Sequence, residues 1–238
     1  MKNKILIITQ THGDECIGTE VMKKLKSGLN KKFRWVIANK KADFKSKRFI
    51  KFDMNRIAPG NIKSKNYEQR RVAEIISLSK KYAYTIDIHG TEAISGIFII
   101  VTKPTIQNIL FALSLPIKNV VIWSPRDIGG PITKFVPCGL EIECGPQALE
   151  KTKNYLFVAL KKIEKQGIDY GRINFRAKNI FKVYGKLLKN KIAAKSNLKD
   201  FKQAIISKEI FYPLLCNRYA GVSCYKMEKV NFVELLSY

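Results

Sequence analysis

The chain has 238 residues, 46% of them hydrophobic, and its 44 Lys and Arg against 19 Asp and Glu leave a net charge of +25. That length suits one large domain, or a large domain with a small companion, and the apolar share supports a sizeable core, which excludes a disordered chain. No apolar run approaches the roughly 18 residues of a spanning helix.

The basic start Met1-Lys2-Asn3-Lys4 leads into an apolar stretch that ends at Thr9-Gln10, too short for a signal peptide. The cysteines (Cys16, Cys138, Cys144, Cys216 and Cys224) form no C-x-x-C pair and are odd in number, as expected of reduced thiols. These features predict a cytoplasmic protein without a membrane partner. The lysines are scattered in small groups such as Lys23-Lys24, Lys80-Lys81 and Lys161-Lys162. With no helix-turn-helix or ribonucleoprotein signature beside them, the charge is expected to attract small anions, with no specific nucleic acid as partner.

In chain order, Lys4 to Thr9 reads as a buried strand and Ile17 to Leu29 as a helix, with Ile17, Val21, Met22, Leu25 and Leu29 at helical spacing. Phe33 to Ala38 is a strand, followed by a polar, basic stretch from Asn39 to Phe52. Asn66 to Lys81 is a helix, Tyr84 to Ile88 and Ile97 to Val101 are strands, and Thr105 to Leu115 is a helix closed by Pro116. Val120 to Trp123 and Leu140 to Cys144 are strands, and Glu150 to Gln166 is a helix. Strands spaced by helices predict an α/β fold with a mostly parallel sheet covered by helices. Beyond Gly167 the segments shorten (Ile180 to Tyr184, Ala204 to Ile206, Ile210 to Leu215) and are bounded by Gly, Asn and Pro. The expected organisation is a large α/β domain over residues 1–168 and a small β-rich domain over residues 169–238.

Thr11-His12-Gly13-Asp14-Glu15 falls between the first strand and the first helix, where open α/β sheets bind ligands. A His and a Glu at this spacing can converge on one cation, and neutral imidazole with carboxylate suits Zn²⁺. Alone, the pattern reads more readily as a turn with a capping His and a solvated Glu. The chain has only 2 His, however, and the other, His89, also follows an apolar strand and precedes a glycine. Two His and one Glu with an open fourth position form the ligand set of a catalytic zinc. Only Cys16 stands near enough in sequence to offer a closing ligand.

Four signals stand in order: His12-Gly13-Asp14-Glu15, Asp53-Met54-Asn55-Arg56, Asp87-Ile88-His89 and Glu141-Ile142-Glu143-Cys144-Gly145-Pro146-Gln147. Together they resemble the aspartoacylase and succinylglutamate desuccinylase family, a branch of the zinc carboxypeptidase superfamily, whose patterns are H-G-N-E, D-L-N-R, D-L-H and E-V-G-P-Q. The resemblance implies one Zn²⁺ per chain on His12, Glu15 and His89. It implies Asn55 and Arg56 as the substrate-carboxylate site, Arg48 polarising the scissile carbonyl, and Glu143 as general base toward the attacking water. Tyr219 in the tail matches a tyrosine that closes over substrate, with Tyr225 competing for that role. Two departures stand out. Asp14 replaces Asn, and residues 127–143 lack the Arg that the family's acylaspartate enzymes carry before the catalytic Glu, leaving Arg126 or Lys134 as substitutes.

The chemistry is coherent without the resemblance. Zinc brings the pKa of water from 15.7 to about 7, a carboxylate can carry its proton to a leaving amine, and arginines bind carboxylates bidentately. Glu141 shares the strand face of Glu143 by the two-residue period and is the alternative base. Asp87, on the face of His89, either orients that ligand or caps the next turn. The expected function is a zinc-dependent amidohydrolase deacylating a small anionic N-acyl amino acid. Its rivals are a metallocarboxypeptidase acting on peptides and a basic nucleic-acid-binding protein on an inactive hydrolase fold. The oligomeric state, a homo-oligomer included, is left open.

Overall fold

The computed structural model describes residues 4–25, 32–123, 130–189 and 197–235. Strand β1, Ile5–Thr9, is buried at every position, as a continuous apolar run inside a parallel sheet requires. It lies between β2 (Phe33–Ile37) and β3 (Tyr84–Gly90), parallel to both, and β3 pairs in parallel with β6 (Gly139–Gly145). Strand β4 (Gly96–Val101) runs antiparallel to β6 and parallel to β5 (Asn119–Ile122). Only Thr91–Ser95 separates β3 from β4, too little chain for a parallel crossover, so β4 must reverse.

Three helices, α1 (Ile17–Leu25), α4 (Ile106–Ser114) and α5 (Glu150–Gln166), cover one sheet face, burying Ile5 and Ile7 with Val21, Phe111 and Leu160. Helix α3 (Tyr67–Ser79) covers part of the other, where Leu6 and Ile8 meet Val72 and Ile75. Residues 26–29 of the expected first helix lie outside the described residues. The polar stretch after Ala38 contains a helix that its composition did not disclose, α2 (Lys40–Phe44), started by Asn39, whose side-chain oxygen accepts from the Ala42 N–H at 3.2 Å.

The tail is an antiparallel β region. Strand β7 (Asn179–Leu188) pairs in parallel with β5 and antiparallel with β10 (Val222–Val230), so its hydrogen bonding continues the main sheet. Strands β8 (Ala204–Ile206) and β9 (Glu209–Leu214) complete the order β2-β1-β3-β6-β4-β5-β7-β10-β9-β8. Leu214, Leu215 and Met227 of the tail pack on Phe98, Ile100 and Val121. The face opposite α1, α4 and α5 is thus covered by α3 at one end and by the tail at the other. The ground between, over β3 and β6, is where the candidate site lies.

Candidate metal centre and active site

The alternation along β3 and β6 decides which groups reach that open ground. Ile86 and Ile88 of β3, and Leu140, Ile142 and Cys144 of β6, all enter the core under α1, α4 and α5. By the two-residue period, Asp87, His89, Glu141 and Glu143 point to the opposite face. The register sets His89 beside Glu143 and Asp87 beside Glu141. Four ionisable side chains therefore share two rungs of a parallel pair.

His12 and Glu15 reach the same place from the turn after β1. The Glu15 carboxylate lies between the two imidazoles, with Oε1 2.8 Å from His12 Nδ1 and Oε2 2.9 Å from His89 Nδ1. It also accepts from the Gly90 N–H at 3.1 Å. The three ligand atoms of His12, Glu15 and His89 lie within 4.8 Å of one another, and all three residues are buried. Each far ring nitrogen faces an aspartate. His12 Nε2 is 3.0 Å from Asp53 Oδ1, and His89 Nε2 is 3.2 Å from Asp87 Oδ2. Thr11 Oγ1 lies 2.9 Å from both Asp87 oxygens and holds that carboxylate in turn. His89 Nε2 is buried without a well-aligned hydrogen bond among the described residues. This donor set fits a divalent cation such as zinc: two imidazoles, a carboxylate between them, and a carboxylate behind each ring.

The electrostatics follow. Burial alone would lower the His12 and His89 pKa values, but Glu15 with Asp53 raises the first, and Asp87 with Glu15 raises the second well above the ordinary range. Burial would likewise raise Asp53, yet His12, Arg48 and the Asn55 N–H bring it down to about 2. Glu15 is driven up by burial and is more than offset by the two histidines, ending well below the usual range.

The segment carrying Arg48, Asp53, Asn55 and Arg56 is held by a residue that sequence reasoning passed over. Glu68 on α3 is buried, and its carboxylate accepts from the backbone N–H groups of Ile50, Lys51 and Phe52 at 2.7, 2.9 and 2.8 Å. Gly13 adds a second constraint. Its N–H donates to the Arg48 carbonyl at 3.0 Å, and a Cβ there would stand 2.3 Å from the Ala42 carbonyl carbon. Arg48 Nη1 then donates to Glu15 Oε1 at 2.9 Å, and Nη2 lies 2.9 Å from His12 Nε2.

These residues border a cavity of about 380 Å³. His12, Glu15, Arg48, Asn55, Arg56, Glu143 and Tyr219 all line it, and His89 stands behind Glu15. The two candidate bases differ in their partners. Glu141 is 5% exposed, and its Oε1 accepts from Asn55 Nδ2 at 3.1 Å and Thr133 Oγ1 at 3.4 Å. Glu143 makes no hydrogen bond among the described residues and is only partly buried. Burial pushes its carboxyl up to about 7; His89 opposes the rise, while Glu15 and Glu141 add to it. The Asn55 amide is engaged at both ends, its Oδ1 accepting from the Ile132 N–H at 3.3 Å. Lys134 lies next to the cavity-lining Pro131 loop but not on the cavity wall, and Arg126 falls outside the described residues. Sequence reasoning gave no role to Ile100, Trp123, Leu215 or Arg218, which also line the cavity. Nothing local in their surroundings marks them: Ile100 and Trp123 come together where β4 pairs with β5, and Leu215 and Arg218 reach them from the connection between β9 and β10.

Residues 1–117 match the family model of the succinylglutamate desuccinylase/aspartoacylase catalytic domain. A "Probable aspartoacylase" of Trichodesmium erythraeum (strain IMS101) is 27% identical over 188 residues, which are 71% of this chain and 64% of that relative. The chain thus spans less than two thirds of the curated relative's length. Murine aminoacylase 3 superposes with a TM-score of 0.74 at 17% identity, over 95% of each chain. The succinylglutamate desuccinylase of Chromobacterium violaceum gives 0.73 at 15% identity, over 97% of this chain and 85% of that one. These two likenesses establish the aspartoacylase/desuccinylase fold across the tail as well as over residues 1–117.

Proposed function

We propose that the chain is a zinc-dependent amidohydrolase that removes the acyl group from an N-acyl amino acid. The observation carrying this reading is the convergence of ligand atoms of His12, Glu15 and His89 within 4.8 Å, with His89 paired on its rung with Glu143, a carboxylate that faces the cavity without a hydrogen-bond partner among the described residues. His12, Glu15 and His89 would hold one zinc per chain, which when bound supplies Lewis acidity toward water and the scissile carbonyl.

The chain's own groups do the rest. Glu143, with a carboxyl near neutrality, takes a proton from the attacking water and returns it to the departing amine nitrogen. Arg48, beside Glu15, donates to the scissile carbonyl oxygen as charge develops there. Arg56 binds the α-carboxylate bidentately, and Asn55 fixes Glu141 and the wall beside it. Asp53 and Asp87 orient the imidazoles. Leu215, Tyr219 and Tyr225 from the tail close one side of the cavity, which favours a single acylated amino acid over a peptide chain.

The test is metal analysis of protein purified without chelator, joined to two substitutions. Glu143→Gln should retain zinc and lose roughly 10²–10⁴ in rate on an N-acyl amino acid. Glu141→Gln should keep most activity. The reverse pattern assigns the base to Glu141, and loss of zinc in Glu143→Gln defeats the mechanism.

A further inference from the structure

The wall of the cavity facing away from the histidines is apolar and aromatic. Trp123 and Tyr225 pack with ring centroids 4.3 Å apart, and Tyr219 meets Tyr225 edge-on at 5.9 Å. Ile100 and Leu215 continue this surface into the core of the tail. The register of β4 against β6 fixes what stands beside it. Ile100 is paired with Glu141, and Phe98 with Glu143. A substrate group in this corner therefore meets aromatic and aliphatic surface on one side and two carboxylates on the other.

We infer that this corner receives the side chain of the acylated amino acid, and that it selects an apolar, preferentially aromatic, side chain over an acidic one. The inference rests on the deacylase reading and names the substrate class within it. The α-carboxylate and the side chain leave the same carbon, so a carboxylate on Arg56 puts the side chain next to whatever adjoins Arg56. Tyr219 and Tyr225 line the same cavity as Arg56, and of the aromatic groups there they are the two whose phenols feel its charge. A second carboxylate placed here would be desolvated beside Glu141 and Glu143, where like charges repel. An aromatic ring would instead bury its faces against Trp123 and Tyr225, the offset and edge-on geometry such rings prefer. Arg218, the cavity's remaining described arginine, is exposed at the rim, where it meets bulk solvent.

The zinc-loaded protein is to be assayed with N-acetyl-phenylalanine, N-acetyl-leucine and N-acetyl-aspartate, with kcat and KM separated. The expected result is kcat/KM for the apolar pair above that for N-acetyl-aspartate by about 10²-fold, the scale on which one pocket discriminates side chains. Trp123→Ala should then raise KM for N-acetyl-phenylalanine by about tenfold or more, with the loss confined to KM. A second readout needs no catalysis. The chain has 2 Trp, so Trp35→Phe leaves Trp123 as the sole indole, and its fluorescence in metal-free protein should respond to N-acetyl-phenylalanine at lower concentration than to N-acetyl-aspartate. Preference for N-acetyl-aspartate in either assay overturns the inference, and loss of that preference in Arg218→Ala would move the side-chain site to the rim. Preferential binding of the apolar ligand without hydrolysis of any substrate upholds the corner's specificity and removes the deacylase reading instead. No response of Trp123 to any ligand, together with no hydrolysis, overturns both.

Discussion

His12 Nε2 stands 3.0 Å from Asp53 Oδ1, which leaves Nδ1 as the nitrogen that faces Glu15. The aspartate thereby selects which lone pair the imidazole presents to a cation, and it is itself placed by the Asn55 N–H, which donates to Asp53 Oδ1 at 2.8 Å. Asp53→Asn keeps this turn but removes the charge behind the ring. Zinc affinity, measured by chelator competition, should fall by roughly tenfold or more, with the fold intact by circular dichroism. Unchanged affinity would mean that Asp53 serves the turn alone.

Glu68 acts at greater distance. Its carboxylate gathers three N–H groups from Ile50, Lys51 and Phe52, between Arg48 and Asp53. Glu68→Gln replaces one acceptor oxygen by a donor, so at least one of these backbone N–H groups loses its partner. The expected cost is about 1.5–3 kcal/mol, read as a lower midpoint in urea. Because the same loop aims Arg48, kcat/KM should drop as well, although Glu68 touches no substrate. A stability loss with full activity would separate the loop's anchoring from its aim.

Stability of the metal-free protein should depend on pH through Glu143, whose carboxyl burial pushes from an ordinary 4.5 up to about 7. At pH below 4.5 the group is protonated in both states and contributes nothing. Between 4.5 and about 7 the unfolded chain ionises first, so stability falls as pH rises, and above about 7 the full penalty is present. Glu143→Gln removes the penalty. Its melting temperature without metal should exceed the wild type's on the alkaline side of this window and converge with it on the acid side. A constant difference across the window would locate the effect elsewhere.

Zinc binding should be strongly pH-dependent for a separate reason. In metal-free protein both histidines hold protons above their ordinary range, because the carboxylates of Glu15, Asp53 and Asp87 outweigh burial. A cation must displace those protons. Affinity measured by competition should weaken by roughly tenfold per displaced proton per unit as pH falls from about 8 to about 6. A flat profile would show that the cation binds elsewhere.

The clustering of the candidate groups was legible in the chain because it follows local periodicities. The alternation in Asp87-Ile88-His89 and Glu141-Ile142-Glu143 places those groups on one strand face whatever surrounds them. The approach of His12 to Glu15 needs only one turn of backbone, and the apolar runs of β1 and β3 announce a buried parallel sheet. Tertiary structure decided the rest, since it arises between residues far apart in the chain. The reversal of β4, the hold of Glu68 on a loop 16 to 18 residues before it, and the rung joining His89 to Glu143 are pairings of whole elements. The same is true of the wall that Trp123 and Tyr225 form across the cavity. A scattered Trp, Leu or Ile carries no mark of which one will face a cavity instead of the core. That difference is set by where β10 and β9 come to rest on the sheet, and the selectivity proposed for the site depends on it.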